Sequence, residues 1–273
     1  MLRPDLPPRH LDRPVRLARA RQAAILERLA AVGDVTVSSL AATLQVSEMT
    51  IRRDLALLER QGQIERTHGG AVPPPPRHPV TLDREEPTFD ARLRQRHEAK
   101  AAIAQAAAGL LAGCRTIALD VGTTSFLIAG HLRQVPHLKI FTNNLRAAAA
   151  LEGSASEVYV AGGRVRSDEL SVVGGTAIAQ FESLWFDVAV IGASGLTPDG
   201  LYDYSPEEAE MKRVYLRRSG QRILACDSVK FQRLSLVHVG ALSSVQTLVT
   251  DAEPPAPLTE ALARNKVHIR LAA

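Results

Sequence analysis

The residues best suited to chemistry lie in the second half of the chain, where polar and glycine-rich stretches follow runs of apolar residues. The first such stretch, Asp120–Ser125, combines a carboxylate, a glycine and three hydroxyl side chains at the start of a predicted helix. Free amides and the helix dipole favour a phosphate at such a start, and glycine lets the backbone approach it closely. Ordinary turns have the same composition, so this stretch alone does not assign a ligand.

Four similar stretches follow other apolar runs: Thr142–Asn144, Gly162–Arg164, Gly192–Gly195 and Asp227–Phe231. Glu208 and Lys212 are four residues apart on another predicted helix, a spacing that would also suit a simple surface ion pair. If the apolar runs are parallel strands, ligands bind beyond their carboxyl ends, where these stretches would meet. Their convergence predicts a site for an anionic, hydroxylated molecule such as a sugar phosphate.

A different chemistry is indicated near the start of the chain, where residues 36–55 predict two short helices joined by a tight turn. Leu40 and Leu44 would supply the buried side of the first helix. In the second helix, the apolar residues that recur at helical spacing are Ile51, Leu55 and Leu58. A short helix, a turn and a second helix with polar residues at its start fit the major groove of DNA.

Hydroxyl residues are placed to cap both of these helices. We expect Ser38 or Ser39 to cap the first helix and Ser47 to cap the second. A short strand predicted at Gln63–Thr67 and the residues after it would form a wing beside the helices. The predicted DNA-contacting set combines outer side chains of the second helix with two residues of this wing: Ser47, Glu48, Met49, Thr50, Arg52, Arg53, Arg66 and His68. The alternative is a helical hairpin with a solvated basic face, in which His68 is only a turn residue.

The charge distribution favours DNA binding over the solvated hairpin. Residues 1–80 hold 12 Lys/Arg and 8 Asp/Glu, which accounts for the whole formal net charge of +4. The remainder holds 21 of each sign (33 − 12 and 29 − 8) and is neutral. A positive excess confined to the helix-turn-helix region suits a phosphate-backbone partner.

Cysteine content and hydrophobicity exclude several other classes. The two cysteines, Cys114 and Cys226, are too few for a disulfide framework, and neither has the spacing of a metal ligand. We therefore expect neither a metal site nor a cofactor. Residues 1–16 lack the apolar core of a secretory signal, and no apolar run approaches the roughly 18 residues of a membrane span. A soluble, cytoplasmic protein without a membrane partner is expected.

The composition along the chain predicts four segments. Residues 1–14 form a disordered lead-in, 15–72 a winged helix-turn-helix domain, 73–82 a proline-rich linker and 83–273 an α/β domain. The domain boundary is placed at Pro73–Pro79, because consecutive prolines cannot continue a helix or lie inside a sheet.

Strands and helices are predicted to alternate in the last segment. The predicted strands are Thr116–Leu119, Lys139–Phe141, Glu157–Val160, Asp187–Ile191, Arg222–Ala225, Leu236–Val239, Leu248–Thr250 and Val267–Leu271. The helices between them are Ser125–Leu132, Leu145–Leu151, Gly175–Phe181, Pro206–Ser219 and Leu258–Arg264. This alternation favours a mostly parallel sheet that is covered on both faces.

Taken together, the motifs of the chain resemble those of the DeoR family of bacterial sugar-metabolism repressors. The most specific motif is Ser-x-x-Thr-Ile-Arg-Arg-Asp-Leu at Ser47–Leu55. The other motifs are Arg21–Leu26, Leu58–Glu59, Arg66–Ala71, Leu119–Thr124, Thr142–Asn144, Ala161–Arg164, Glu208–Lys212 and Asp227–Phe231.

The resemblance implies a winged helix-turn-helix that binds operator DNA and an α/β sensor domain whose fold is similar to that of ribose-phosphate isomerases. It also implies a homo-oligomer, a dimer or higher, and an effector that is a phosphorylated sugar or related metabolite. The effector-binding residues that the loops and the resemblance together indicate are Asp120, Gly122, Thr123, Thr124, Asn143, Gly162, Gly163, Glu208, Lys212, Asp227 and Lys230.

Two other functions use the same residues. A sugar-phosphate isomerase with an appended DNA-binding module would need a base carboxylate and a group that stabilises an enediolate, which Asp120, Glu208 or Asp227 and the lysines could supply. No cluster is specific to catalysis, so we assign no catalytic residue and expect a protein that is not an enzyme. A purely structural protein would not explain the glycine-rich stretches.

Overall fold

A computed structural model describes residues 13–60, 63–73, 81–83 and 85–272. The chain divides into two compact units, residues 1–78 and 79–273, and this boundary falls inside the segment predicted to be a linker. Residues 74–80 of that segment, residues 1–12 of the predicted lead-in, and Gln61–Gly62 after the second helix of the motif lie outside the described residues.

The first unit is a small helical domain with a short antiparallel sheet. Its elements are α1 (Arg13–Val32), β1 (Val35–Thr36), α2 (Val37–Leu44), α3 (Glu48–Arg60), β2 (Glu65–Arg66) and β3 (Gly70–Val72). The sheet has the order β1-β3-β2. Ile51, Leu55 and Leu58 of α3 are buried in one core with Ile25 of α1 and Leu40 of α2. The predicted winged helix-turn-helix is confirmed.

One local prediction for this unit is corrected. The first helix is capped by Thr36 rather than by Ser38 or Ser39, and Ser39 is its reciprocal partner in a capping box. Gly70 begins strand β3 of the wing. A β-carbon at Gly70 would lie 1.8 Å from the carbonyl oxygen of Val35, so glycine is what allows this close pairing. Ser47 accepts a hydrogen bond from the amide of Thr50 at 3.3 Å, as expected of a cap.

The second unit is a three-layer α/β domain. Its helices are α4 (Phe89–Arg94), α5 (His97–Gly109), α6 (Thr123–Leu132), α7 (Leu145–Ala150), α8 (Gly175–Glu182), α9 (Pro206–Arg217) and α10 (Ala256–Arg264). The strands of its main sheet are β5 (Thr116–Leu119), β6 (Lys139–Thr142), β7 (Glu157–Val160), β10 (Phe186–Ile191), β13 (Ser219–Ala225), β16 (Thr247–Thr250) and β17 (His268–Leu271).

The main sheet has seven strands in the order β17-β16-β13-β10-β5-β6-β7, and every neighbouring pair is parallel. Successive strand side chains face opposite layers. In β10, Val188 and Val190 pack in one core with α5, α6 and α7. Ala189 and Ile191 pack in the other core with α8, α9 and α10. The prediction of a mostly parallel sheet covered on both faces is therefore confirmed.

The remaining strands form small sheets outside this layer. They are β4 (Thr81–Leu82), β8 (Arg164–Arg166), β9 (Ser171–Val173), β11 (Gly195–Thr197), β12 (Gly200–Asp203), β14 (Arg233–Leu234) and β15 (Val237–Gly240). Strand β15 corresponds to the predicted strand Leu236–Val239, but it pairs antiparallel with β12 instead of joining the main sheet. The other six strands have at most four residues and were not predicted. No helix in the described part of the chain is long and apolar enough to cross a membrane.

Candidate functional site

A cleft opens in the second unit beyond the carboxyl ends of β5, β10 and β13. Residues 121–125 after β5, 192–194 after β10, and 226, 227, 229 and 230 after β13 contribute to its lining, together with α5 and α9. Part of the cleft is open to solvent. Parallel strands position these loops because their carboxyl ends all meet at one edge of the sheet.

One wall of the cleft is a buried ionic network around Lys212 of α9. The ammonium group of Lys212 donates to the carboxylate of Asp120 and lies 3.4 Å from that of Asp203. The carboxylate of Asp120 also accepts from the amide of Gly192 at 3.0 Å. Burial lowers the pKa of Lys212, but Asp120 and Asp203 more than offset this effect, so its pKa is raised and the lysine stays charged.

Glu208 belongs to the same wall but bonds to different partners. Ser205 caps the start of α9, and Glu208 in the first turn points inward. Its carboxylate accepts from the hydroxyl of Ser171 at 2.6 Å and from Arg166 at 3.0 Å. Burial and the neighbouring Asp203 raise the pKa of Glu208 to about 7. Because Glu208 and Lys212 are both buried, the surface ion-pair reading of their spacing is wrong.

The cleft is also lined by three cationic side chains, those of Arg92, Lys100 and Lys230. Lys100 donates to the carbonyl oxygens of Arg92 and Gln95 and lies 3.9 Å from the carboxylate of Asp227. Burial lowers the pKa of Lys100 to about 8, despite the opposing effect of Asp227. Burial also lowers the pKa of Lys230, again against Asp227. Asp227 thus lies near both lysines, and Arg92 is bonded to Glu169 and lies 3.4 Å from Glu86, so each of the three cations has a carboxylate partner.

The start of α6 faces this cleft without a side-chain cap. Gly122 has a φ of 101°, a conformation that favours glycine, and it precedes Thr123, Thr124 and Ser125, which are buried and line the cleft. Three buried polar atoms in or beside the cleft have no hydrogen-bond partner within the described residues, namely Asp120 Oδ1, Arg92 Nε and Glu169 Oε1. Backbone amides at the start of α6 and the unpaired atoms of the lining residues Arg92 and Glu169 are thus available to a bound molecule.

The structure places part of the predicted effector set at the cleft and part elsewhere. Seven of those residues line it: Gly122, Thr123, Thr124, Glu208, Lys212, Asp227 and Lys230. Asp120 lies directly behind Lys212. Asn143 does not line the cleft, because its side chain is buried and is bonded to the hydroxyl of Tyr215 at 2.8 Å and the carbonyl oxygen of Val172 at 3.1 Å.

Gly162 and Gly163 are also outside the cleft lining. The amide of Gly162 donates to the side chain of Gln180 at 2.8 Å, and a β-carbon at Gly163 would lie 2.8 Å from the carbonyl oxygen of Val173. This geometry assigns Asn143, Gly162 and Gly163 to packing between β6, β9 and α8, and their predicted contact with an effector has no support in the structure.

Sequence reasoning missed Arg92, Lys100, Glu169, Asp203 and Tyr204, all of which line the cleft. A signal for Lys100 was present in the sequence. Lys100 is in register with Ile103, Ala104 and Ala107, so a charged residue occupies the buried stripe of α5. A lysine in such a position requires a partner or a functional site, because burying an uncompensated charge is costly. Among the described residues no cluster of His, Cys, Asp or Glu is placed to hold a metal ion.

In the first unit, the predicted DNA-contacting side chains lie mostly on the surface. Arg53 and His68 are exposed, Met49 exposes 60% of its surface, and Arg66 of β2 is half-buried. Glu48 and Arg52 form an exposed pair at 3.4 Å. The hydroxyls of Ser47 and Thr50 are 3.0 Å apart, so both residues also stabilise the start of α3.

Asp54 of the Arg-Arg-Asp-Leu motif has a different position from its neighbours. It is buried, and its carboxylate accepts from Arg21 at 2.5 Å and from Gln22 at 3.0 Å. These bonds link α1 to α3. The motif therefore combines two outward arginines with one inward carboxylate that holds the helix carrying them.

Comparison with known proteins agrees with this arrangement. Residues 21–75 match the family model of the DeoR-like helix-turn-helix domain, and residues 95–252 match that of the DeoR C-terminal sensor domain. The glycerol-3-phosphate regulon repressor of Escherichia coli is 31% identical over 253 residues, which cover 92% of this chain and 98% of that protein. The transcriptional repressor GlcR of Bacillus subtilis is 30% identical over 250 residues, covering 91% and 94%.

Among solved structures, ribose 5-phosphate isomerase A of Methanocaldococcus jannaschii matches 50% of this chain and 54% of its own, with 14% identity and a TM-score of 0.37. A likeness at this level gives no argument about activity. The family models and the full-length relatives describe regulators of transcription. This chain belongs to the DeoR family and is a DNA-binding transcriptional regulator, not an enzyme.

Proposed function

We propose that this protein represses a carbohydrate-metabolism operon and that a phosphorylated sugar or polyol, bound in the cleft, changes its affinity for operator DNA. The observation that supports this most directly is the position of Arg92, Lys100 and Lys230 in the cleft that the uncapped start of α6 faces. A relative is named a glycerol-3-phosphate regulon repressor, so a small phosphorylated polyol is a reasonable first ligand to test.

The phosphate is assigned to the part of the cleft lined by the three cations. A phosphate at the start of α6 would accept from the amides after Gly122 and from the hydroxyls of Thr123 and Thr124. Arg92, Lys100 and Lys230 would balance its charge. The helix dipole adds a further favourable contribution, and charge-assisted hydrogen bonds are the strongest that these groups form.

The hydroxyl groups of the ligand are assigned to the carboxylates that line the cleft near Lys212. Carboxylates accept hydrogen bonds from hydroxyls, and the lining residue Glu169 has one oxygen without a partner among the described residues. A phosphate ion could bind by charge without these carboxylates. Their hydrogen bonds to hydroxyl groups would therefore give the site its selectivity for a polyol phosphate over phosphate alone.

DNA is assigned to α3 and the wing. A helix that enters the major groove presents its first turns to the base edges, and here those turns present Glu48, Met49, Arg52 and Arg53. Arginine suits guanine, and an exposed apolar side chain such as Met49 suits the methyl group of thymine. Arg66 and His68 of the wing would contact the phosphate backbone.

The active form is proposed to be a homo-oligomer in the cytoplasm. Two copies of α3 would bind two half-sites about one helical turn of DNA apart, roughly 34–36 Å. Small changes in the separation of the two copies would then change operator affinity strongly, which is how the bound ligand would act.

The effector site is tested by calorimetric titration and thermal melting with glycerol 3-phosphate and glucose 6-phosphate, each compared with its unphosphorylated form. A ligand at 100 times its dissociation constant should stabilise the protein by about 2.7 kcal/mol. We expect Lys230→Met to abolish this stabilisation and Lys139→Met, a matched change at an exposed strand lysine, to preserve it. Binding that does not depend on the phosphate group or on Lys230 would contradict the assignment.

The DNA site is tested by gel shift on the DNA upstream of the protein's own gene, at low salt, with and without the same sugar phosphates. We expect a discrete complex whose midpoint moves when a phosphorylated sugar is added. Folded protein that binds this DNA no better than an unrelated duplex would contradict the proposal.

A further inference from the structure

The first residues of the second unit are held in place mainly by charged and polar side chains. We call residues 81–88 the anchor segment; residue 84 within it lies outside the described residues. The segment directly follows the residues that join the two units, so every covalent path from the cleft to the DNA-binding unit runs through it.

The backbone of the anchor segment is attached by a very short strand. Strand β4 pairs with β14 through the amides of Thr81 and Asp83. Each amide donates to a carbonyl oxygen in β14 or directly next to it, at 2.9 Å. Both residues of β4 are exposed, and Leu82 exposes 52% of its surface. Burial of apolar surface therefore contributes little to holding the segment, and it belongs to the parts of a domain that open easily.

Two carboxylates of the anchor segment supply the remaining attachments. Asp83 accepts from the hydroxyl of Tyr204 at 2.5 Å and from Arg233 at 3.0 Å. Glu86 accepts from Arg166 and lies 3.4 Å from the guanidinium group of Arg92.

The partners of these carboxylates are also parts of the cleft. Arg92 and Tyr204 line it. Arg166 connects Glu86 to the lining residue Glu208, which it contacts at 3.0 Å. Arg92 is additionally bonded to the buried Glu169. The guanidinium group of Arg92 is thus shared between the anchor segment and the cleft, and an anion that enters the cleft becomes a third acceptor for it.

We propose that an anionic ligand in the cleft competes with Glu86 for Arg92 and thereby loosens the anchor segment. This inference rests on the effector site proposed above. The bound phosphate takes donors from Arg92 and repels the carboxylate of Glu86, so one ionic attachment of the segment weakens, while Glu86 keeps Arg166 and Asp83 keeps Tyr204 and Arg233. Ligand binding in the cleft thereby changes how firmly the second unit holds the chain that leads to the DNA-binding unit.

Thermodynamic linkage makes the proposal testable in both directions. If the ligand loosens the anchor segment, then loosening the segment by mutation must tighten ligand binding, by at most the factor by which the ligand prefers the loosened state. Glu86→Gln removes the competing charge and keeps a side chain of similar shape. Glu182→Gln is the matched control, because Glu182 forms an exposed pair with Arg217 at 3.0 Å and is not part of the anchor segment or the cleft.

The experiment is hydrogen exchange by mass spectrometry on the full chain, with and without saturating glycerol 3-phosphate or glucose 6-phosphate. Peptides that cover residues 121–126 report binding in the cleft, and peptides that cover residues 81–88 report the anchor segment. We expect exchange to slow at 121–126 and to become roughly fivefold faster or more at 81–88. Titration should show that Glu86→Gln tightens binding by up to the same factor and that Glu182→Gln does not change it.

Slower exchange at 121–126 with no faster exchange at 81–88 would overturn the coupling and leave the effector site standing. An unchanged affinity in Glu86→Gln, with melting showing that the variant is folded, would overturn it as well. No change at 121–126 with either sugar phosphate would overturn the effector site, and the coupling with it.

Discussion

The two units use the same ionisable residue types in opposite environments. On α3, Arg52 and Glu48 form a pair in which the side chains are 54% and 53% exposed. In the cleft, Lys212 and Asp120 form a pair in which they are 3% and 0% exposed. Hydrated charges are worth little to stability and remain available to a polyanion, whereas buried charges must compensate one another.

In the first unit, the residues proposed to bind DNA can be changed without destabilising the fold. In the second unit, the charged residues at the cleft also stabilise the fold. A side chain on the outer face of α3 can change without consequence for the core beneath it. A side chain of the Lys212 network cannot, because its removal leaves other buried charges without a partner. Four experiments test this contrast.

The largest effect is expected for Lys212→Met, which retains volume but leaves Asp120 and Asp203 without their cation. We expect the free energy of unfolding of the second unit to fall by about 3–5 kcal/mol. The single tryptophan, Trp185, lies in this unit, so its fluorescence during urea unfolding reports the change. Arg52→Met is the control and should change stability by less than about 0.5 kcal/mol. Similar small losses in both variants would remove the distinction between the two regions.

A smaller loss of stability is expected for Asp54→Ala, at the buried carboxylate of the DNA-binding unit. The substitution removes the link from α3 to Arg21 and Gln22 and should destabilise the first unit by about 2–3 kcal/mol. Circular dichroism during urea unfolding measures it, with the exposed Glu59→Ala on the same helix as the control. Equal stability of the two variants would show that the link between α1 and α3 is dispensable.

Next in size is Arg53→Ala, the exposed neighbour of Asp54. Operator binding should weaken by about 2 kcal/mol, while the urea midpoint and sugar-phosphate binding stay unchanged. Gel-shift titration measures the affinity. Arg28→Ala on α1 removes the same charge from another exposed position. If it weakens operator binding equally, general electrostatic attraction rather than a specific contact of Arg53 accounts for the effect.

The smallest effect is a pH dependence of sugar-phosphate binding. Because burial lowers the pKa of Lys100 to about 8, the free protein loses this charge as the pH rises through about 8. A bound phosphate would keep Lys100 protonated, so binding takes up a proton on the alkaline side and weakens with rising pH. Lys230, whose pKa burial also lowers, acts with the same sign.

The expected loss is at most about 1.4 kcal/mol, or tenfold, per pH unit for each lysine. Titration calorimetry in two buffers with different ionisation heats measures the proton uptake directly. Lys100→Met should reduce it, and an affinity that is constant through this range would show that the phosphate does not bind near Lys100.

The sequence predicted helices and strands well where the buried residues recur at the regular spacing of a helix or a strand. The strand at Thr116–Leu119 has the predicted bounds, and Ile51, Leu55 and Leu58 face the core of the first unit as expected. The strand at Val237–Gly240 was predicted as a strand, but its antiparallel pairing with β12 was not, because a strand of this length does not encode its partner.

The cleft was only partly predictable for a related reason. Residues 122–124, Glu208, Lys212, Asp227 and Lys230 were found because they follow strands or lie on one helix face. Arg92 and Tyr204 were missed because nothing in their local sequence distinguishes them from surface residues. Asn143 was placed at the effector because it follows a strand, and only the position of Tyr215 shows that its side chain is already bonded inside the protein.

The sequence by itself determined the helices of the helix-turn-helix and the strands of the main sheet, the separation of positive charge into the first unit, and the polar character of the strand ends, since all of these depend on neighbours within a few residues. The tertiary structure alone decided which charges are buried together and which carboxylates share Arg92. The physical reason is that desolvation and pairing depend on distances between residues far apart in the chain, which become defined only when the strands and helices pack.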